Sequence, residues 1–219
     1  VYKRQIKDLT MQEAPMYVVI AVILTSIILA LTMDSFLIPL FFMLSVGMAI
    51  IYNMGTNFIQ GEISFITEAL AAVLQLAVTI DYSIFLWHSY KEQKAQIADK
   101  DEAMAEAIHL TFTSILGSSL TTIAGFVSIC FMSFTLGLDL GVVMAKGVVF
   151  GVICCVTVLP SMVLIFDKAI EKTKHKVILP DLSRISKWVV NHFYIFIILF
   201  FILIGPAIYG SVSYTHLTL

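Results

Sequence analysis

The sequence predicts an all-α fold, a polytopic bundle of helices that cross a membrane. Of the 219 residues, 59% are hydrophobic and only 13% are charged, and the mean hydropathy is +0.97. This composition lies far from the balance of a soluble domain. Six apolar runs recur along the chain. Each is near the length of about 20 residues that a helix needs to cross the hydrocarbon core.

The first two predicted spans are residues 16–33 and 37–52. Asp34 and Ser35 form the short connection between them, and either side chain can cap the second helix. We therefore interpret Asp34 as a helix cap and not as a functional acid. Residues 53–67 contain two glycines, two asparagines and no Lys or Arg, a composition that predicts a loop.

The third predicted span, residues 68–90, contains an acidic residue, Asp81, in its inner half. An Asp at the centre of a membrane helix costs roughly 2.5 to 3.5 kcal/mol, so such a residue usually faces a protein interior and belongs to an ion or proton path. We expect Asp81 to have this role. The alternative is that Asp81 only joins two helices through a hydrogen bond.

Polar residues accompany Asp81 on its own helix and on the next one. Four of them lie nearby in the sequence, namely Gln75, Thr79, Tyr82 and Ser83. Glu68 recurs with Gln75 and Tyr82 at seven-residue spacing, which places them on one face. We expect this face to meet a face of the fourth span that carries small residues and hydroxyl groups. We interpret this second face as a packing surface. The alternative is that its hydroxyl groups support a proton path. Its members are Ser114, Ser118, Thr121, Thr122, Gly125 and Ser128.

A charged segment follows the third span. Residues 91–112 alternate in charge and space Ile97, Met104 and Ile108 along one side. This pattern predicts an amphipathic helix on the membrane surface. The remaining spans are predicted at residues 113–134, 142–166 and 192–209.

The fifth span carries a lysine, Lys146, one to two turns from the short loop before it. Snorkelling of this side chain to the membrane interface is the simplest interpretation. A pair with Asp139, or a role near the substrate path, is the alternative. Gly147 and Gly151 form a GxxxG step on the same helix, which predicts a close packing face.

The distribution of Lys and Arg predicts the orientation of the chain. Three of the thirteen lie between the third and fourth spans and six in the linker at residues 167–191, so both connections are expected to be cytoplasmic. The first span then enters from outside, and at least one earlier span and a later external segment are expected. Both ends resemble translated sequencing-adapter sequence. Residues 1–15 are therefore expected to be an external or artefactual segment, and residues 210–219 an artefactual tail.

The sequence contains no pattern typical of enzyme chemistry. The three cysteines, Cys130, Cys154 and Cys155, lie in apolar runs without His or Cys at metal-ligand spacing. We interpret them as small hydrophobic residues. A nucleotide-binding loop of the form GxxxxGK[ST] is absent from the sequence, so ATP hydrolysis by this chain is not expected. We predict no catalytic residue, no metal and no cofactor.

Three stretches resemble the MMPL-type branch of the resistance-nodulation-division (RND) superfamily. They are IDYSIFLWHSYKEQ at residues 80–93, SSLTTIAGFVSICFM at 118–132 and LGLDLGVVMAKGVVFGVICCVTVLPSMVLIFD at 136–167. The resemblance covers about residues 15–209. It implies helices two to seven of such a protein, namely a five-helix core like that of sterol-sensing domains plus one helix that opens a second repeat.

The resemblance implies a proton-driven exporter of lipids or other hydrophobic compounds, in the plasma membrane of a bacterium. Protons would be the coupling ion. Asp81 and Tyr82 match an Asp-Tyr pair that relays protons together with a second pair in the other half of such proteins. The run after the pair matches only loosely. Candidates for support of the relay are Gln75, Thr79, Ser118, Thr122 and Lys146.

The implied partners are the lipid bilayer, the second half of the same protein, and a hydrophobic or lipidic substrate bound by external domains. No nucleic acid is expected as a partner. Two other functions stay open. One is a sterol-sensing or Patched-like lipid-regulatory membrane module, and the other is a protein-export accessory subunit of the same superfamily.

Overall fold

The computed structural model of the chain describes residues 2–59, 61, 63–176 and 183–216. These residues divide into two units, Val1–Val177 and Ile178–Leu219. The described part of the chain contains six helices that are long and apolar enough to cross a membrane. The predicted all-α, polytopic fold is therefore confirmed. Parts of the predicted N-terminal segment, linker and tail lie outside the described residues: residue 1, residues 177–182 and residues 217–219.

Five long α-helices, one short α-helix and a 3-10 turn at Thr56–Ile59 make up the helical part of the first unit. Helix α5 packs against three neighbours, α2, α3 and α4, and α3 also packs against α1. The second unit contains a short helix followed by a long one. The helices are α1 (Tyr2–Thr32), α2 (Leu37–Gly55), α3 (Phe65–Lys94), α4 (Lys100–Ile129), α5 (Thr135–Ile165), α6 (Asp167–Lys172), α7 (Ser183–Asn191) and α8 (Phe193–His216).

The segment between the third and fourth spans differs from the predicted surface helix. Asp99 caps α4 by accepting a hydrogen bond from Asp101 N at 2.7 Å, and α4 continues unbroken from Lys100 into the predicted fourth span. Met104 is buried, and Ile97 and Ile108 pack against the core. The apolar side of this segment therefore faces the helix bundle, because burial against α3 and α5 removes it from both water and lipid.

Asp34 does not cap the second helix, so the interpretation from the sequence was wrong on this point. The N–H of Leu37 donates to Ser35 Oγ at 3.3 Å, whereas the carboxylate of Asp34 binds Lys91 Nζ at 2.9 Å. Burial raises the pKa of Asp34, but the hydrogen bond and the charge of Lys91 outweigh this effect and hold the pKa below its ordinary value. Asp34 thus ties the α1–α2 connection to the end of α3.

A second group of charges ties α3 to α6. Lys94 Nζ binds the carboxylates of Asp167 and, at 3.0 Å, Glu171. The hydroxyl of Tyr90 also donates to Asp167 Oδ1 at 3.3 Å. We call this end of the first unit, formed by residues 33–36, 90–94 and 167–175, the basic end. Its ion pairs join segments that are far apart in the sequence.

Replacing Lys94 with glutamine is expected to destabilise the basic end by about 1 to 3 kcal/mol. The reason is that Asp167, with only 15% of its side chain exposed, would keep its charge and lose its cation. The measurement is the midpoint of denaturant unfolding of the protein in detergent micelles.

Two further variants control this prediction. Lys172→Gln removes the same charge from an exposed side chain of α6 and should change stability by less than about 0.5 kcal/mol. Exchanging the charges, with Lys94→Asp and Asp167→Lys together, should recover part of the loss. Equal effects of Lys94→Gln and Lys172→Gln would show that the ion pair does not hold α6.

Candidate functional site

Asp81 lies at an exposed position on the surface of the first unit. Among the described residues, its carboxylate has no hydrogen-bond or ion-pair partner. The sequence led us to expect this residue to face the protein interior, and within this chain it does not. The buried side of α3 is taken by other residues, whereas Ala77, Asp81 and Phe85 follow each other along its exposed side at helical spacing.

A cavity of about 510 Å³ opens beside Asp81. Helix α3 contributes Asp81 and Tyr82 to its lining, and α4 contributes Ser118 and Thr122, with Ser114 one turn before them. The structure therefore brings two of the five support candidates to the predicted proton site. The resulting site is a carboxylate at the mouth of a cavity whose opposite wall bears hydroxyl groups.

Tyr82 occupies the inner side of this site. Its side chain is only 5% exposed, and its buried hydroxyl lies near those of Ser118 and Thr122 without a hydrogen bond of standard geometry to any described residue. Successive residues of a helix point about 100° apart, so Tyr82 turns inward where Asp81 turns outward. The two members of the predicted Asp-Tyr pair therefore form no hydrogen bond with each other in this structure.

The hydroxyl-bearing face of α4 is only partly covered. Thr121 and Thr122 donate to the carbonyl oxygen of Ser118 at 2.8 and 2.9 Å. These hydroxyl protons are therefore used in hydrogen bonds within α4. A Cβ added to Gly125 would meet nothing within 4 Å. The expected contact between the faces of α3 and α4 is therefore limited to the cavity at Tyr82, and the rest of the α4 face stays open.

Gln75 and Thr79 lie on a different side of α3 from Asp81. The buried amide of Gln75 donates from Nε2 to the carbonyl oxygen of Gly147 at 3.1 Å and accepts from Asn53 Nδ2 at 2.8 Å. Thr79 packs directly onto Gly151. The close packing face predicted from the GxxxG step is thus confirmed. These contacts anchor α3 to α5 and α2 and do not reach Asp81.

Asn53 is a residue of this buried amide group that sequence reasoning missed. It was assigned to the loop after the second span, but α2 continues to Gly55 and Asn53 is fully buried. A polar residue directly after an apolar run can belong either to a loop or to a helix end, so the sequence alone does not separate the two.

Lys146 lies away from the candidate proton site. Its Nζ donates to Asn57 Oδ1 at 2.6 Å, next to the connection between α2 and α3. The alternative pair with Asp139 is not formed, because the Asp139 carboxylate accepts from Ser64 N at 3.2 Å instead. Lys146 therefore joins α5 to the α2–α3 connection at the end opposite the basic end.

The fold and the site together define a polytopic α-helical membrane protein with an acidic residue in a membrane-spanning helix. The chain belongs to the MMPL family, whose family model matches residues 1–192. This match covers the whole first unit and includes α7. It also includes the N-terminal residues that the sequence analysis set apart from the membrane domain.

Several curated membrane proteins are similar to this chain. ActII-3 of Streptomyces coelicolor is 27% identical over 165 residues, which are 72% of this chain and 23% of that protein. YdfJ of Bacillus subtilis is 23% identical over 175 residues, 78% of this chain and 24% of that protein. A membrane protein of Methanocaldococcus jannaschii is 27% identical over 129 residues, 58% of this chain and 33% of that protein. The matched part of the chain thus spans a quarter to a third of the relatives' length.

Proposed function

We propose that this chain is part of a proton-driven transporter of lipids or other hydrophobic compounds, in which Asp81 binds and releases the coupling proton. The observation that carries the proposal is the place of Asp81. It stands on a membrane-spanning helix, beside a hydroxyl-lined cavity and without a cation partner among the described residues. Acidic residues inside membrane segments mark ion and proton pathways.

The exposed side of α3 favours a partner for Asp81 from outside this chain. A charged carboxylate facing hydrocarbon is costly, so another part of the protein would cover Asp81. We propose that the second half of the same polypeptide does so and completes the interior that the sequence predicts. Tyr82, whose hydroxyl is unpaired among the described residues, would then donate a hydrogen bond to the ionised carboxylate.

The contacts of α3 through Gln75 and Thr79 indicate how proton binding at Asp81 could be coupled to movement of the protein. Gln75 and Thr79 anchor α3 on α5 and α2, while the side that carries Asp81 is free of such contacts. A change in the charge of Asp81 would therefore act on the surface between the two halves, and their shift would drive the substrate-binding domains. The protein would act as a transporter and not as an enzyme, with protons as its only coupling species.

The proposed location is the plasma membrane of a bacterium, with the basic end in the cytoplasm. The orientation is supported by the Lys and Arg residues of the two connections at the basic end. The bacterial relatives ActII-3 and YdfJ are membrane proteins, which is in line with the location. The lipid bilayer and a hydrophobic substrate are the proposed partners.

The experiment that tests the class of function uses the full-length protein in lipid vesicles. An imposed proton gradient should drive movement of a fluorescent phospholipid analogue and a matching proton flux, and a protonophore should stop the movement. Lipid movement that continues after the gradient has collapsed would contradict the proposal. Lipid binding without any gradient-dependent movement would instead indicate the regulatory module.

A further inference from the structure

Helix α7 has one apolar side and one basic side. Ile185, Trp188 and Val189 are exposed and share a face by their spacing of three and four residues. Arg184 and Lys187, three residues apart, lie on another face. The sequence of α7, SRISKWVVN, contains no acidic residue. Within the second unit, this short helix therefore presents a basic side and an unburied apolar side.

The position of α7 next to α8 brings it to a membrane boundary. Helix α8 follows after a single residue, and its stretch Phe193–Ser211 is long and apolar enough to cross a membrane. The ring of Trp188 contacts Phe196 edge-on, with 5.4 Å between ring centroids. Because Phe196 lies in the first turn of α8, this contact turns the apolar side of α7 toward the level at which α8 enters the hydrocarbon.

We propose that α7 is a membrane-surface helix that binds anionic phospholipid headgroups through Arg184 and Lys187. Trp favours the boundary between hydrocarbon and headgroups, where its ring is buried and its N–H meets polar groups. The guanidinium of Arg184 can form bidentate hydrogen bonds with phosphate oxygens, and Lys187 adds a second positive charge. Amphipathic helices with this distribution of charge lie in the interface and select anionic lipids.

The proposal is independent of proton transport, because none of its residues belongs to the site at Asp81. It assigns a lipid class and two binding residues to a part of the chain that the transport proposal leaves without a role. The two basic side chains would hold the start of α8 at a fixed depth when the neighbouring lipid is anionic.

The chain contains two tryptophans, Trp87 and Trp188, and this allows a direct test. In the Trp87→Phe background, Trp188 is the only tryptophan emitter. The full chain is reconstituted in phosphatidylcholine vesicles that contain either brominated phosphatidylglycerol or brominated phosphatidylcholine at equal mole fraction. If Trp87→Phe impairs folding, the quenching of Trp188 is obtained instead as the difference between the native chain and Trp188→Phe.

We expect brominated phosphatidylglycerol to quench Trp188 more strongly than brominated phosphatidylcholine. Each basic residue should contribute about fivefold to the preference, so Arg184→Gln with Lys187→Gln should lower it by up to about 25-fold. Lys172→Gln with Lys176→Gln is the matched control, since it removes two exposed charges of the same linker and should leave the preference unchanged.

Three results would overturn the proposal. Absence of quenching would show that α7 does not reach the membrane. Equal quenching by the two brominated lipids would show that the headgroup charge is not recognised. An equal loss of preference in the α7 variant and in the matched control would show a general effect of charge and no binding by Arg184 and Lys187.

Discussion

Replacing Asp81 with asparagine is expected to abolish proton-driven transport by the full-length protein and to leave its folding unchanged. The amide has nearly the shape of the carboxyl but cannot take up and release a proton in the same range of pH. Loss of a group that transfers protons typically costs a factor of about 10² to 10⁴ in rate. Asp81 has no hydrogen-bond or ion-pair partner among the described residues, and a neutral amide costs less than a carboxylate where the second half would cover this position, so folding and membrane insertion should be retained.

The matched control for this variant is Asp139→Asn. It makes the same chemical change at a residue that accepts a hydrogen bond from Ser64 N, near the connection between α2 and α3. Proton flux into vesicles, followed with an internal pH-sensitive dye, should persist in the control and be lost in Asp81→Asn. Proton-dependent transport that survives in Asp81→Asn would rule out the role of this carboxylate.

Alanine at position 151 is expected to produce the largest loss of stability among single-methyl changes in the first unit. The added Cβ would overlap Cγ2 of Thr79, far inside van der Waals contact. Thr is branched at Cβ and has few alternative rotamers in a helix, so α3 and α5 would have to separate. Overpacking of this kind typically costs about 1 to 3 kcal/mol, and separation would also weaken the bond from Gln75 to Gly147.

Two variants isolate the contact at Gly151. Gly125→Ala adds the same methyl group on α4, where nothing lies within 4 Å, and it should be neutral or slightly stabilising because Ala favours helices more than Gly. Thr79→Ser removes the overlapping methyl group and should restore part of the stability of Gly151→Ala. Unfolding midpoints in detergent provide the measurement. Equal midpoints for the two alanine variants would refute the packing account.

The sequence predicted those features of the fold that depend only on a short stretch of residues. Apolar runs predicted the spans because crossing hydrocarbon requires a length of apolar residues that no other structure needs. The GxxxG step predicted a close contact at Gly147 and Gly151, since only small residues let two helix backbones approach. Burial of Cys154 and Cys155 likewise followed from their position in an apolar run.

Contacts between distant segments could not be predicted in this way. The charge of Asp34 is paired with Lys91 and that of Lys94 with Asp167, and no local pattern distinguishes these partners from the other charges. The segment after α3 was predicted to be a surface helix, whereas it packs against the bundle. An amphipathic pattern does not distinguish whether lipid or protein covers the apolar side of a helix.

The candidate site was predicted only in part for a related reason. The spacing of residues places Asp81 and Tyr82 side by side, but it does not fix the rotation of α3 in the bundle. That rotation depends on Gln75 and Thr79, which contact α5 and α2, and it leaves Asp81 on the outer surface. Ser118 and Thr122 reach the site because α4 packs along α3, whereas Lys146 lies too far along α5 to take part.

We propose that Asp81 takes up and releases a proton within the membrane, and this step can be measured directly. Infrared difference spectra of the full-length protein in lipid, recorded between acidic and neutral pH, report the carbonyl stretch of protonated carboxyl groups. We predict a pH-dependent band of this kind that Asp81→Asn removes and Asp139→Asn retains. An identical band in native protein and in Asp81→Asn would contradict the claim.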